Sequence, residues 1–150
     1  MYVVDLPPFS YRIQSRGKAY YIFDIIRKRY VRLTPEEWTR QHLVHYLIDH
    51  LGYPKALISL ERSISYSGLK HRPDMVIYAK TGKPLVLVEC KAPHIKLSEH
   101  VYHQLARYNM ALQAKILVVT NGKVYRCWQR QGSTSEHKLL EAIPTFDALA

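Results

Sequence analysis

The sequence predicts an α/β or α+β fold: one mixed β-sheet with helices packed against it, preceded by a small antiparallel β meander. Three observations carry this. Two segments repeat apolar residues at helical spacing. Leu85-Val86-Leu87-Val88 and Ile116 to Thr120 are continuous apolar runs. The first third holds short stretches rich in Tyr, Ile and Val, separated by turn residues. Continuous apolar runs belong to strands covered on both faces, which requires helices on the sheet.

The meander is read at Tyr11 to Gln14, Tyr20 to Asp24 and Tyr30 to Leu33, split by Ser15-Arg16-Gly17-Lys18 and by the basic run Arg27-Lys28-Arg29. Thr34-Pro35-Glu36-Glu37 then starts a helix. Thr34 can N-cap it, Pro35 fits its first position, and Glu37 completes a capping box. Trp38, Leu43, Val44, Leu47, Ile48 and Leu51 form its apolar stripe, and Gly52 with Pro54 beyond it stops the helix.

Leu57 to Ser65 alternates loosely, as a strand does. Asp74 to Tyr78 is short and apolar, and Thr81-Gly82-Lys83-Pro84 turns it into Leu85 to Val88. Ser98 to Ala114 reads as a second helix, with Val101, Leu105, Tyr108 and Leu112 spaced by four, three and four. Ile116 to Thr120 and Val124 to Trp128 flank Asn121-Gly122, a hairpin signal. The tail after Gly132 is polar, and Pro144 to Ala150 is expected to form a short terminal helix. One domain is expected over residues 1–150, with a β extension at 1–33, a core at 34–131 and a tail at 132–150.

Composition narrows the function classes. The 150 residues are 47% hydrophobic and 23% charged, which suits one globular domain and excludes a collagen, a coiled coil and a disulfide scaffold. Lys and Arg total 22 against 12 Asp and Glu, a formal charge of +10 that fits a polyanionic partner. No apolar run approaches the roughly 18 to 20 residues of a membrane span, so no membrane partner is expected. The start Met1-Tyr2-Val3-Val4-Asp5 lacks a basic segment ahead of an apolar one, so no secretory signal is expected. Cys90 and Cys127 then read as reduced thiols of a cytoplasmic protein.

The chemistry is expected around Arg72-Pro73-Asp74 and Glu89-Cys90-Lys91. Strand side chains alternate faces, so Glu89 and Lys91 share one side and Cys90 points to the other. Fourteen residues separate Asp74 from Glu89, and a hairpin of that length brings the two acids side by side. Two converging carboxylates suit Mg²⁺ or Mn²⁺, with the Cys90 backbone carbonyl as a third oxygen donor. Lys91 would neutralise charge near the metal or orient a water. A plain salt bridge between Glu89 and Lys91 is the simpler alternative. An acid and a lysine at the tip of a buried strand nevertheless cost desolvation unless paired or bound to something.

Pro73-Asp74…Glu89-x-Lys91 resembles the signature of the PD-(D/E)xK nuclease superfamily. The longer set Leu33-Thr34-Pro35-Glu36-Glu37-Trp38, Arg40-Gln41, Arg72-Pro73-Asp74 and Val88-Glu89-Cys90-Lys91-Ala92-Pro93 is similar to the N-terminal nuclease domain of type I restriction enzyme R subunits, over roughly residues 20 to 131. The resemblance implies a restriction-endonuclease-like core with a central four-stranded mixed sheet, and Mg²⁺-dependent cleavage of DNA phosphodiesters. It implies that the first helix supplies an acid reaching the metal through water. Glu37 is the better candidate and Glu36 the fallback. Gln104-x-x-x-Tyr108 resembles the motif that follows the Glu-x-Lys strand in such nucleases, and an i,i+4 pair shares a helix face. No Gly-x-x-x-x-Gly-Lys-Ser/Thr motif is present, so no ATP-driven motor is inferred.

Arg72, Lys70, Arg27, Lys28 and Arg29 are expected to contact DNA, with the front tyrosines able to stack on bases. His71 is a minor candidate near the metal. His42 and His45, and His100 and His103, are i,i+3 pairs without a companion Glu in a His-Glu-x-x-His arrangement, so no metal site is read from them. Two other readings stay open beside the endonuclease. One is a catalytically silent DNA-binding or interaction subunit of a restriction or repair assembly. The other is a junction-resolvase-like nuclease, whose small stand-alone forms act as homodimers.

Overall fold

The computed structural model describes residues 3–61, 64–66, 69–134 and 136–149, with backbone alone for 64–66 and 69–71. An α+β fold results. The meander comprises β1 (Ile13–Arg16), β2 (Ala19–Asp24) and β3 (Arg29–Arg32), paired antiparallel in that order. Its apolar residues Ile22 and Val31 pack on Trp38 of the first helix. The first strand starts two residues later than predicted because Tyr11 is taken by edge-on ring contacts to Phe9 and Trp38.

Helix α1 (Pro35–Asp49) begins as its sequence dictates, with Thr34 Oγ1 accepting the Glu37 N–H at 3.0 Å. Leu43, Val44 and Leu47 are buried against the main sheet. Thr39, Arg40, Gln41 and His42 are buried as well, so the helix carries polar groups inward near its start.

The main sheet has six strands. After a 3₁₀ turn at Lys55–Leu57 come β4 (Ile58–Leu60), β5 (Ile64–Tyr66), β6 (Leu69–His71), β7 (Met75–Tyr78) and β8 (Pro84–Cys90). Helix α2 (Glu99–Leu112), β9 (Ile116–Thr120), β10 (Tyr125–Arg130), β11 (His137–Leu140) and the short α3 (Phe146–Leu149) follow. The sheet order is β11-β10-β9-β8-β7-β4, while β5 and β6 form a separate hairpin. Strands β8 and β9 run parallel, joined through α2, and the other pairs are antiparallel.

Two predictions need correction. The segment read as one strand from Leu57 breaks at Glu61, whose φ of 51° turns the chain out of the ladder. The sheet is also wider than the four strands expected. The polar tail supplies β11, with Cys127 opposite Leu140, and an edge strand needs few apolar residues because one side stays open to water.

Side chains divide cleanly between the two sheet faces. Met75, Ile77, Val86, Val88, Cys90, Val118 and Cys127 face α1 and α3. Val76, Leu87, Leu117 and Val119 face α2, meeting Val101 and Leu105. Both cysteines are free and buried. Among the described residues no helix is long and apolar enough to cross a membrane.

Candidate active site

The site forms where β7 begins and β8 ends. Met75 pairs with Val88, so one step outward Asp74 stands opposite Glu89. Alternation puts Glu89 on the α2 face with Leu87 and sends Cys90 into the core with Val86 and Val88. Lys91 follows directly, its N–H on Thr120 O at 2.8 Å and its Nζ 3.4 Å from Glu89 Oε1.

Asp74 is 6% exposed and doubly held. Its Oδ2 accepts the Cys90 N–H at 2.7 Å, and its Oδ1 accepts from Arg40 Nη2. A residue's N–H and C=O share one side of a strand, so the Cys90 carbonyl turns to the same edge as Asp74. Arg40 also donates to Glu37 at 2.6 Å, Glu61 at 3.1 Å and Glu36 at 3.2 Å. Arg27 reaches the same cluster from the meander, pairing with Asp24, with Glu61 at 2.7 Å and with Glu37 at 2.9 Å. Two guanidiniums thereby tie the meander, α1, the end of β4 and the start of β7 around one patch of buried acid.

Burial and the Asp74 charge push the Glu89 carboxyl up to about 8, only partly offset by Lys91. Glu36 is raised for the same two reasons, against Arg40 and Lys91. Burial opposes charge on Arg40, but Glu37 and Asp74 outweigh it and hold the guanidinium protonated. Burial, then Asp74, raises the Cys90 thiol, which is inert in the core.

The donor set fits a hard divalent cation. Asp74 and Glu89 offer carboxylates from adjacent strands, the Cys90 carbonyl lies at the same edge, and the crowding that raises Glu89 is the kind a cation relieves. Among the described residues no three His, Cys, Asp or Glu side chains form a metal-holding set on their own. Waters would have to complete the shell, as is usual for Mg²⁺.

The other predicted residues are placed as follows. The Glu37 carboxylate is engaged by Arg27, Arg40 and, at 3.0 Å, Gln41 Nε2, whereas Glu36 is the α1 acid that neighbours Asp74. Gln104 is exposed and Tyr108 half-buried, on the helix covering the Glu89 face. Arg72 is exposed and pairs with Glu61 at 3.1 Å. Arg27 is committed to carboxylates, while Lys28 and Arg29 are exposed at the β2–β3 turn. The side chains of Lys70 and His71 lie outside the described residues.

Sequence reasoning gave no role to Arg40, Glu61 or His94. Arg29, Arg32, Tyr21, Glu36, Glu61 and His94 line a groove of about 670 Å³ running between the meander and the loop after β8. No local motif marks Glu61. The one signal for Arg40 was its i,i+3 and i,i+4 spacing from Glu37 and Glu36.

Residues 35–144 match the sequence profile of the family described as type I restriction enzyme R protein N terminus (HSDR_N). The chain belongs to that family. No protein of curated function matches it. Among solved structures, the chain is similar to a fragment of "a putative HsdR subunit of a type I restriction enzyme from Vibrio vulnificus YJ016". That match has 21% identity, a TM-score of 0.56 and 78% coverage of this chain. The chain spans 24% of that fragment's length. A second similar structure is "a putative nuclease belonging to DUF820 from Anabaena variabilis ATCC 29413". There the identity is 9% and the TM-score 0.51, with 91% of this chain and 87% of that one covered. At these identities the likeness speaks to the fold alone, which this HSDR_N chain shares with both structures.

Proposed function

We propose that this domain is a Mg²⁺- or Mn²⁺-dependent endodeoxyribonuclease that hydrolyses DNA phosphodiester bonds as part of a restriction system in the cytoplasm. The observation that carries the reading is the facing pair Asp74 and Glu89 with Lys91 at 3.4 Å from Glu89. Asp74, Glu89 and the Cys90 carbonyl would hold the ion, and Glu36 rather than Glu37 would be the acid reaching it through water. When bound, the divalent ion would polarise the phosphoryl group and favour attack by water.

The chain's own residues do the rest. Arg40 and the Cys90 N–H fix the Asp74 carboxylate in one orientation. Lys91 brings a cation to the place where charge develops on the phosphoryl oxygens. Arg29, Arg32 and Arg72 supply positive charge at the approach, suited to a phosphate backbone.

The test is plasmid nicking by purified protein in Mg²⁺ or Mn²⁺. Asp74→Ala, Glu89→Ala and Lys91→Ala should each abolish it, and nicking that survives all three overturns the assignment. The second reading is a silent DNA-binding subunit within a restriction or repair assembly, favoured by the Arg40 guanidinium on Asp74 Oδ1. It requires salt-sensitive DNA binding with no divalent-dependent nicking and no calorimetric heat from Mn²⁺.

A further inference from the structure

We propose that the cavity beside Glu89 on the α2 face is a subsite for an unpaired nucleobase next to the scissile phosphate, with Trp128 and Tyr102 contacting the base and Arg126 the adjoining phosphate. This deepens the nuclease reading and rests on it.

Register places the cavity. Glu89 pairs with Val119 of β9, and Val119 pairs with Arg126 of β10. Val119 faces α2, so the row Glu89, Val119, Arg126 runs across one face of the sheet. Adjacent strands are about 5 Å apart, so Arg126 stands about 10 Å from Glu89 along the row. That gap is short enough for the long Arg126 side chain to meet the adjoining phosphate of a strand whose scissile phosphate lies at Glu89.

The cavity lies along this row. It is about 590 Å³, and its lining includes Leu97, Tyr102, Val119, Arg126 and Trp128, with the acid Glu99 among them. Such a volume accommodates one nucleotide. The Tyr102 and Trp128 rings meet with centroids 4.5 Å apart at 42°, giving an aromatic wall only partly covered by protein. Arg126 is exposed, and its one described hydrogen bond joins Nη1 to the neighbouring Tyr125 carbonyl at 3.0 Å.

Two part-exposed rings tilted at 42° to one another, with a cation nearby, match a base and its phosphate, and aromatic contact of this kind accepts any base. Continuity with the acid pair favours the substrate strand over a peptide. Bases inside a duplex are stacked on both faces, so the cavity selects a strand that is single or has one base turned out.

The test uses a 5′-fluorescein 12-nucleotide thymidine strand in chelator, following anisotropy and tryptophan fluorescence together. Anisotropy should rise, and tryptophan emission should be quenched with the same midpoint. Trp128→Leu should remove the quench and weaken binding at least about fivefold, whereas Trp128→Phe should keep most of the affinity. Arg126→Ala should reduce the salt slope by about 0.7, the value of one single-strand phosphate contact. The matching duplex should bind without quenching. If anisotropy rises while emission is unchanged and Trp128→Leu binds like the parent, the base subsite is wrong and the nuclease reading stands. If neither signal responds to DNA, DNA is not the substrate and both readings fall.

Discussion

Arg40 Nη2 donates to Asp74 Oδ1 from the far side of the core, with 5% of the arginine side chain and 9% of the aspartate exposed. A buried guanidinium thus holds one member of the candidate catalytic pair in place. Its other donors go to Glu36, Glu37 and Glu61, so one cation answers four acids. Desolvating so many charges is costly, and the cluster is tolerable because Asp74, Glu37 and Glu61 each meet donors at both carboxylate oxygens, while Arg40 Nε and Gln41 Oε1 stay buried without a partner among the described residues. The same cluster accounts for the burial of Glu37, Arg40 and Gln41 on α1, whereas Thr39 meets the Asn121 carbonyl and His42 packs on Trp38 and Phe9.

Removing Arg40 should therefore be severe. Arg40→Met leaves Asp74 and Glu37 buried without their main cation and should cost about 3–5 kcal/mol of stability. Urea denaturation at pH 7 measures it, and a loss under about 1 kcal/mol would mean the cluster does not hold the fold together.

A different sign applies to Glu89. Its folded carboxyl keeps a proton to about pH 8, against 4.5 when unperturbed. Between those values the folded chain binds more protons than the unfolded one, so metal-free stability from this group falls as pH rises. Glu89→Gln mimics the protonated form. It should exceed the parent by about 1–3 kcal/mol at pH 8 and match it near pH 4.5. Equal stability of the two proteins at pH 8 would contradict the crowding with Asp74.

Much of this architecture is legible in the chain itself, and the reasons are local. Thr34 to Glu37 names its own helix start, and Leu85 to Lys91 names a buried strand whose tip turns ionic. The facing of Asp74 and Glu89 is only half legible: loop length brings the strand ends together, but the register shift between Ile77 and Tyr78 is what sets Asp74 opposite Glu89 rather than Val88. What escaped depends on distant partners. Glu36 and Glu37 occupy the same helical turn, and Arg27, arriving from the meander, pairs with Glu37 and not Glu36, a choice no local pattern shows. Glu61 becomes a hub through a left-handed backbone that no pattern announces. Trp128 and Tyr102 carry no motif; strand register puts Trp128 on the same face as Arg126, and Tyr102 of α2 packs against it.

The Asn121-Gly122 turn offers a test of the N-terminal arm. Gly122 sits at φ +87°, and a Cβ there would lie 2.6 Å from Val4 Cγ1 and 3.2 Å from Thr39 Oγ1. Its carbonyl accepts the Asp5 N–H at 2.7 Å. Gly122→Ala should cost about 1–3 kcal/mol through strain and displacement of the arm. Adding Val4→Ala should recover part of the loss, because it removes the clash but not the backbone strain. Double-mutant denaturation reads the coupling, and strictly additive effects would deny the contact.

The last comparison separates structure from chemistry within one helical turn. Glu37 is buried and bound by two arginines, so Glu37→Gln unpairs both and should cost about 2–4 kcal/mol. Glu36 has a half-exposed side chain beside Asp74, so Glu36→Gln should alter stability by no more than about 0.5 kcal/mol. In the nuclease reading Glu36→Gln should instead weaken Mn²⁺ binding by calorimetry and slow plasmid nicking. Glu37→Gln, assayed at a temperature where it stays folded, should retain metal binding. The reverse outcome, with Glu36→Gln silent and Glu37→Gln blind to metal, would return the water-mediated role to Glu37 and require its carboxylate to leave the arginine cluster when the ion arrives.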